Sequence, residues 1–84
     1  MKIDLTLRQI QIVESIKSKS EMKDQMMLDK LLKGEIDFND VENLCLIING
    51  EFLMEGILPS FEPNPYGLEL EGLLDSVNRA RIAP

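Results

Sequence analysis

Glu51 and Glu55 stand four residues apart in a stretch that reads as helix. That spacing puts two carboxylates on one face, where they could hold a metal or do acid–base work if buried. A di-metal helix site also needs a Glu-x-x-His partner, and the chain has no histidine. The pair therefore reads as a solvated acidic ridge. Asp37, Asn39 and Val41 start like a calcium loop, but the third ligand position, the required glycine and the twelfth-position glutamate are wrong. Without imidazole there is no Ser-His-Asp or Cys-His apparatus. Cys45 is the single cysteine, so an internal disulfide and a cysteine zinc site are both excluded. It reads as a small buried apolar residue in a reducing compartment. The five glycines, Gly34, Gly50, Gly56, Gly67 and Gly72, are scattered singles and make no phosphate loop. The expectation is a protein that is not an enzyme, with no catalytic residue, no cofactor and no metal.

Binding chemistry is better represented. Phe61 and Tyr66 flank a segment stiffened by Pro59, Pro63 and Pro65. Aromatic side chains on a rigid loop make good interface anchors, or else they cap the core. Charge is uneven. Residues 1–33 carry 7 basic and 5 acidic side chains, net +2, and residues 34–84 carry 2 basic and 10 acidic, net −8, which sums to −6. The acidic half repels nucleic acid and attracts a basic protein, although acidity also serves solubility alone. The candidate partner-binding residues are Phe61, Glu62, Tyr66, Glu69, Glu71 and Asp75, expected to form one patch. Glu71 and Asp75 are four apart and share a face.

These residues need helices to position them. The first 33 residues contain neither Gly nor Pro. Thr6 with Gln9 fits a capping box, and Leu5 with Ile10 the accompanying staple. Leu7, Ile10, Val13 and Ile16 recur at three-residue steps on the apolar side. The polar run Lys17-Ser18-Lys19-Ser20 then interrupts the pattern, and Ser18 with Glu21 offers a second capping box. Two helices, 6–18 and 20–33, are preferred over one long one. The second carries Met27, Leu28, Leu31 and Leu32 and ends at Gly34 in the left-handed conformation. Asp37 caps a third helix over 38–55, with Phe38, Val41, Leu44, Cys45, Ile48 and Phe52 on a wide apolar face. Asn64 and Pro65 start a fourth over 65–81, buried through Tyr66, Leu70, Leu73, Leu74 and Val77, with Arg79 and Arg81 in its last turn.

Residues 44–54 admit a rival reading. Leu44–Ile48, Asn49-Gly50 and residues 51–54 also spell a hairpin with a type I′ turn. Helix is preferred because the 3.6-residue period fits and no third strand is evident. Gly50 inside a helix costs about 1 kcal/mol relative to alanine, which suggests close packing or a kink. Leu46, Leu53 and Met54 add apolar surface that 84 residues cannot easily cover, so a homodimer at micromolar concentration is expected. The longest apolar run, 44–48, is far too short to span a membrane, and Asp4 and Arg8 break any signal-peptide core, so a cytoplasmic protein with no membrane partner is expected.

The stretch Asn64-Pro65-Tyr66-Gly67-Leu68-Glu69-Leu70-Glu71-Gly72-Leu73-Leu74-Asp75 resembles a segment of small acidic immunity proteins from bacterial toxin systems. Size, acidity and four-helix character are similar to those of the colicin-nuclease immunity proteins. The paired tyrosines of their binding loop are absent, with only Tyr66 present, and the likeness covers some twelve residues of 84. It implies a bacterial protein whose partner is a basic toxin domain. The whole reading is a single all-α domain over 1–84, a compact bundle of about four helices. Its function would be a non-enzymatic protein-binding module, in the form of an immunity protein acting through its acidic C-terminal half. The alternative is a structural or regulatory helical protein working as a homodimer.

Overall fold

The computed structural model describes the backbone of residues 5–82 and the side chains of residues 5–79. Four helices follow one another: α1 (Leu7–Ser18), α2 (Met22–Lys33), α3 (Phe38–Glu55) and α4 (Pro65–Ile82). The radius of gyration is 12.3 Å, which is what a compact bundle of this length requires. Arg81 lies outside the described side chains.

Each helix begins or ends on chemistry written locally. Thr6 Oγ1 accepts the Gln9 N–H at 3.1 Å, and Gln9 Oε1 accepts the Thr6 N–H at 3.0 Å, which closes the capping box of α1. Gln9 Nε2 also donates to Ser76 Oγ at 3.1 Å, so the cap ties α1 to α4. Gly34, at φ 71°, ends α2. Its N–H donates to Leu31 O and the Glu35 N–H to Lys30 O, the paired closure that uses up a helix's last carbonyls. Asp37 caps α3, and Asp40 reciprocates through its carboxylate at 2.9 Å. Buried Asp40 also receives Lys30 Nζ at 2.7 Å, joining α2 to α3.

Three local expectations are corrected. The Ser18–Glu21 box does not form. Ser18 is still helical, so its hydroxyl turns back to Ser15 O at 2.7 Å, and the cap position falls on Glu21, which makes no side-chain cap bond. Leu7 does not share a face with Val13 and Ile16 but is exposed. At roughly 100° per residue, three-residue steps drift by about 60° each, so positions nine apart end on opposite sides. The buried stripe of α1 is Ile12, Val13 and Ile16. Phe38 is likewise exposed at the start of α3.

The core joins that stripe to Leu28, Leu31 and Ile36, to Val41, Leu44 and Ile48 of α3, and to Leu70, Leu73 and Val77 of α4. α3 is continuous through Asn49-Gly50, so the hairpin reading is set aside. Gly50 is not crowded, since a Cβ there would meet nothing within 4 Å. α3 packs chiefly on α4 and has only a narrow contact with α2.

Candidate partner-binding surface

The connection from α3 to α4 is the most constrained part of the backbone. Gly56 and Gly67 cross in direct contact: a Cβ on Gly67 would stand 2.1 Å from the Gly56 carbonyl oxygen. Asn64 locks the crossing. Its Oδ1 accepts the Gly67 N–H at 2.7 Å, its Nδ2 donates to Glu55 O at 2.9 Å, and its own N–H donates to Gly56 O at 2.9 Å. Between these points Ile57 bridges Pro63. The Leu58 N–H donates to Glu62 O at 2.8 Å, and the Phe61 N–H to Leu58 O at 2.9 Å.

Phe61 stands in this closed loop with φ 69°, the one non-glycine residue at positive φ among those described. Its side chain is 90% exposed. Left-handed backbone costs a non-glycine residue about 1–3 kcal/mol, and no buried contact of the ring offsets it. The loop holds an apolar ring in water in a conformation its residue type disfavours, with exposed Glu62 beside it.

The six sequence-derived residues divide into three places. Phe61 and Glu62 occupy the loop. Glu71 and Asp75 are exposed on the outer face of α4 with Leu68. Tyr66 and Glu69 turn toward the rest of the bundle. The Tyr66 hydroxyl donates to Glu51 Oε2 at 2.7 Å, and Lys19 Nζ reaches the same oxygen at 2.8 Å. Burial, then the Glu51 hydrogen bond, push the Tyr66 phenol well above its usual range. Arg8 grips Glu69 with two hydrogen bonds, Nε to Oε2 and Nη2 to Oε1, and holds that carboxyl below the usual range. Glu69 and Glu71 are two residues apart, about 200° around the helix, so they cannot share a surface.

Glu51 is also corrected. It is only 7% exposed and therefore no part of a solvated ridge, while Glu55 stays exposed. The buried carboxylate serves Tyr66 and Lys19 and so fastens α4 and the end of α1 to α3.

A second feature needed the tertiary structure to appear. A groove of about 650 Å³ opens between the α1–α2 junction and α3. Met27, Leu46, Ile47, Gly50 and Met54 supply its apolar lining. Leu46 is 66%, Leu53 62% and Met54 82% exposed, so α3 keeps an apolar outward face. The excess of apolar residues in 44–54 signalled uncovered surface. The groove itself depends on how the α1–α2 junction sits against α3, which no local pattern encodes. Among the described residues no group of three or more Cys, Asp or Glu side chains could hold a metal, and no helix is long and apolar enough to cross a membrane. Comparison with known proteins found no matching family, no matching curated protein and no matching solved structure.

Proposed function

We propose that this chain is a non-enzymatic protein-binding module that engages a basic protein partner through the α3–α4 loop and the outer face of α4. The observation that carries this reading is Phe61, an exposed aromatic ring fixed at positive φ in a hydrogen-bonded loop. A preorganised aromatic loses little conformational freedom on docking, so its burial is retained as affinity. Glu62, Glu71 and Asp75 add exposed negative charge from the same half of the chain, which favours a basic partner and speeds its encounter. Tyr66 fixes the start of α4 to buried Glu51, and Glu69 ties it to Arg8 of α1 through a solvent-exposed pair. In the form that the resemblance to acidic immunity proteins implies, the partner is a bacterial toxin domain and the module blocks it.

The test is comparative capture. The immobilised chain and its Phe61→Ala and Glu71→Lys/Asp75→Lys variants are exposed to the same bacterial lysate at two salt concentrations, and retained proteins are identified and purified. A basic protein should be held by the wild type and released faster from Phe61→Ala. The charge-reversed variant should associate more slowly, most clearly at low salt where screening is weak. If no protein distinguishes folded wild type from folded variants, this surface serves solubility only and the reading fails.

A further inference from the structure

The outward face of α3 carries a pattern that the proposed partner surface does not use. Its exposed positions are Phe38, Asn39, Glu42, Asn43, Leu46, Asn49, Leu53, Met54 and Glu55. Glu42 and Glu55 are the two charges among these nine, and Glu55 lies about 180° around the helix from Leu46. The outer face of α2 is different, since its exposed Met22 and Met26 stand beside Lys23, Lys30 and Lys33. Leu46, Gly50 and Leu53 follow the i, i+4, i+7 spacing of a single helical ridge. Gly50 is the unexplained member. Glycine weakens a helix interior, and nothing in the monomer comes within 4 Å of the place where a Cβ would sit. Within one copy an alanine fits there without any adjustment.

The geometry points to a second copy of this chain as the occupant of this face, in an antiparallel α3–α3 crossing at Asn49-Gly50. A glycine at the crossing lets two helix backbones approach closely. In a two-fold interface the same patch meets itself, so a patch carrying charges of one sign sets like against like near the axis. The ridge avoids this, because its one exposed carboxylate, Glu42, lies away from Asn49-Gly50. A two-fold axis between positions 49 and 50 sets Leu46 of one copy beside Leu53 of the other. It sends Glu42 past the end of the opposite α3, clear of any like-charged neighbour on that helix. Asparagines, which both donate and accept, suit such a self-facing rim. Along the ridge itself, from Asn39 to Leu53, Glu42 is the one exposed carboxylate, whereas the groove beside it is lined by Glu21, Asp24, Glu51 and Glu55 together with Lys19 and Lys23, so the ridge and not the groove is the face assigned to the second copy.

Sedimentation equilibrium of the full chain from 5 to 500 µM tests the assignment. Wild type is expected to shift from the 9.6 kDa monomer to a species of twice that mass across the range. Leu46→Asp, whose side chain is exposed in the monomer, should remain folded and monomeric throughout. Gly50→Ala separates the two roles of the glycine. It should raise the melting temperature of the dilute monomer, because the helix gains and nothing clashes, and weaken dimerisation at least tenfold. A wild type that stays at 9.6 kDa at 500 µM overturns the assignment. So does a dimer that both variants form as well as wild type does, because the copies then meet elsewhere.

Discussion

Gly34 and Phe61 share a positive φ, 71° and 69°. At Gly34 the reason is local. A helix must close its last carbonyls, the left-handed residue does this, and glycine enters that conformation without a steric penalty. At Phe61 the positive φ is imposed by its surroundings. The Gly56–Gly67 crossing, the three hydrogen bonds of Asn64, the Ile57–Pro63 bridge and the Leu58–Glu62 hydrogen bond close the loop around it. One left-handed residue makes the fold. The other is held by the fold and returns nothing to it in burial. That asymmetry is why the α3–α4 loop, and not the α2–α3 turn, reads as a recognition element.

The largest expected effect lies at the crossing that imposes the strain. Gly67→Ala places a methyl carbon against backbone, which cannot swing aside as a side chain would. A loss of about 3 kcal/mol or more is expected in urea unfolding, with the loop losing its closure. A near-neutral result would mean that α4 can slide off the end of α3 freely, and then Phe61 is not held. Gly34→Ala should cost less, about 1–2 kcal/mol, because it strains one residue with open space around it. A thermal or urea unfolding measurement checks this, and it calibrates the left-handed penalty in this protein.

The pH dependence is smaller and involves the Gly34 side of the comparison, where Lys30 meets Asp40. The Lys30 hydrogen bond and then the Asp37 backbone hold the Asp40 carboxyl below the usual range. A carboxyl depressed in the folded state stabilises at pH values above its unfolded value, about 3.9, and loses that contribution as pH falls through the folded value. Unfolding free energy should therefore decline below about pH 4. Asp40→Asn should flatten part of that decline and cost about 1 kcal/mol or less at pH 7, since the exposed Lys30 is screened by water. An unchanged acid profile in Asp40→Asn would show that the pair contributes nothing.

Much of the architecture was legible because helix ends are local chemistry. Thr6 with Gln9, Asp37, Gly34 and Asn64-Pro65 each mark a terminus within a few residues, while the break between α1 and α2 was signalled by the polar run at 17–20 and not by the Ser18–Glu21 box, which does not form. The Asp37–Asp40 reciprocity was less visible, because a short aspartate stands where a longer side chain is usual. Face assignment was poorer. Leu7 shows that three-residue spacing over three turns drifts across a helix. The candidate site was legible in its loop, since three prolines and an aromatic announce a stiff connection. Tyr66 and Glu69 were not readable as contacts within the bundle, because their partners Glu51 and Arg8 are 15 and 61 residues away. The positive φ of Phe61 had no sequence signal at all, since glycine or asparagine is the residue type that marks such a position.

The most direct measurement is the urea unfolding free energy of Phe61→Gly at pH 7. The substitution removes a ring that is 90% exposed and gives the backbone a residue suited to φ 69°. If the loop holds Phe61 for a partner at the expense of the fold, the variant is more stable than wild type by about 1 kcal/mol. A variant less stable than wild type would show that Phe61 supports the fold, and would remove the ground for treating the loop as a binding element.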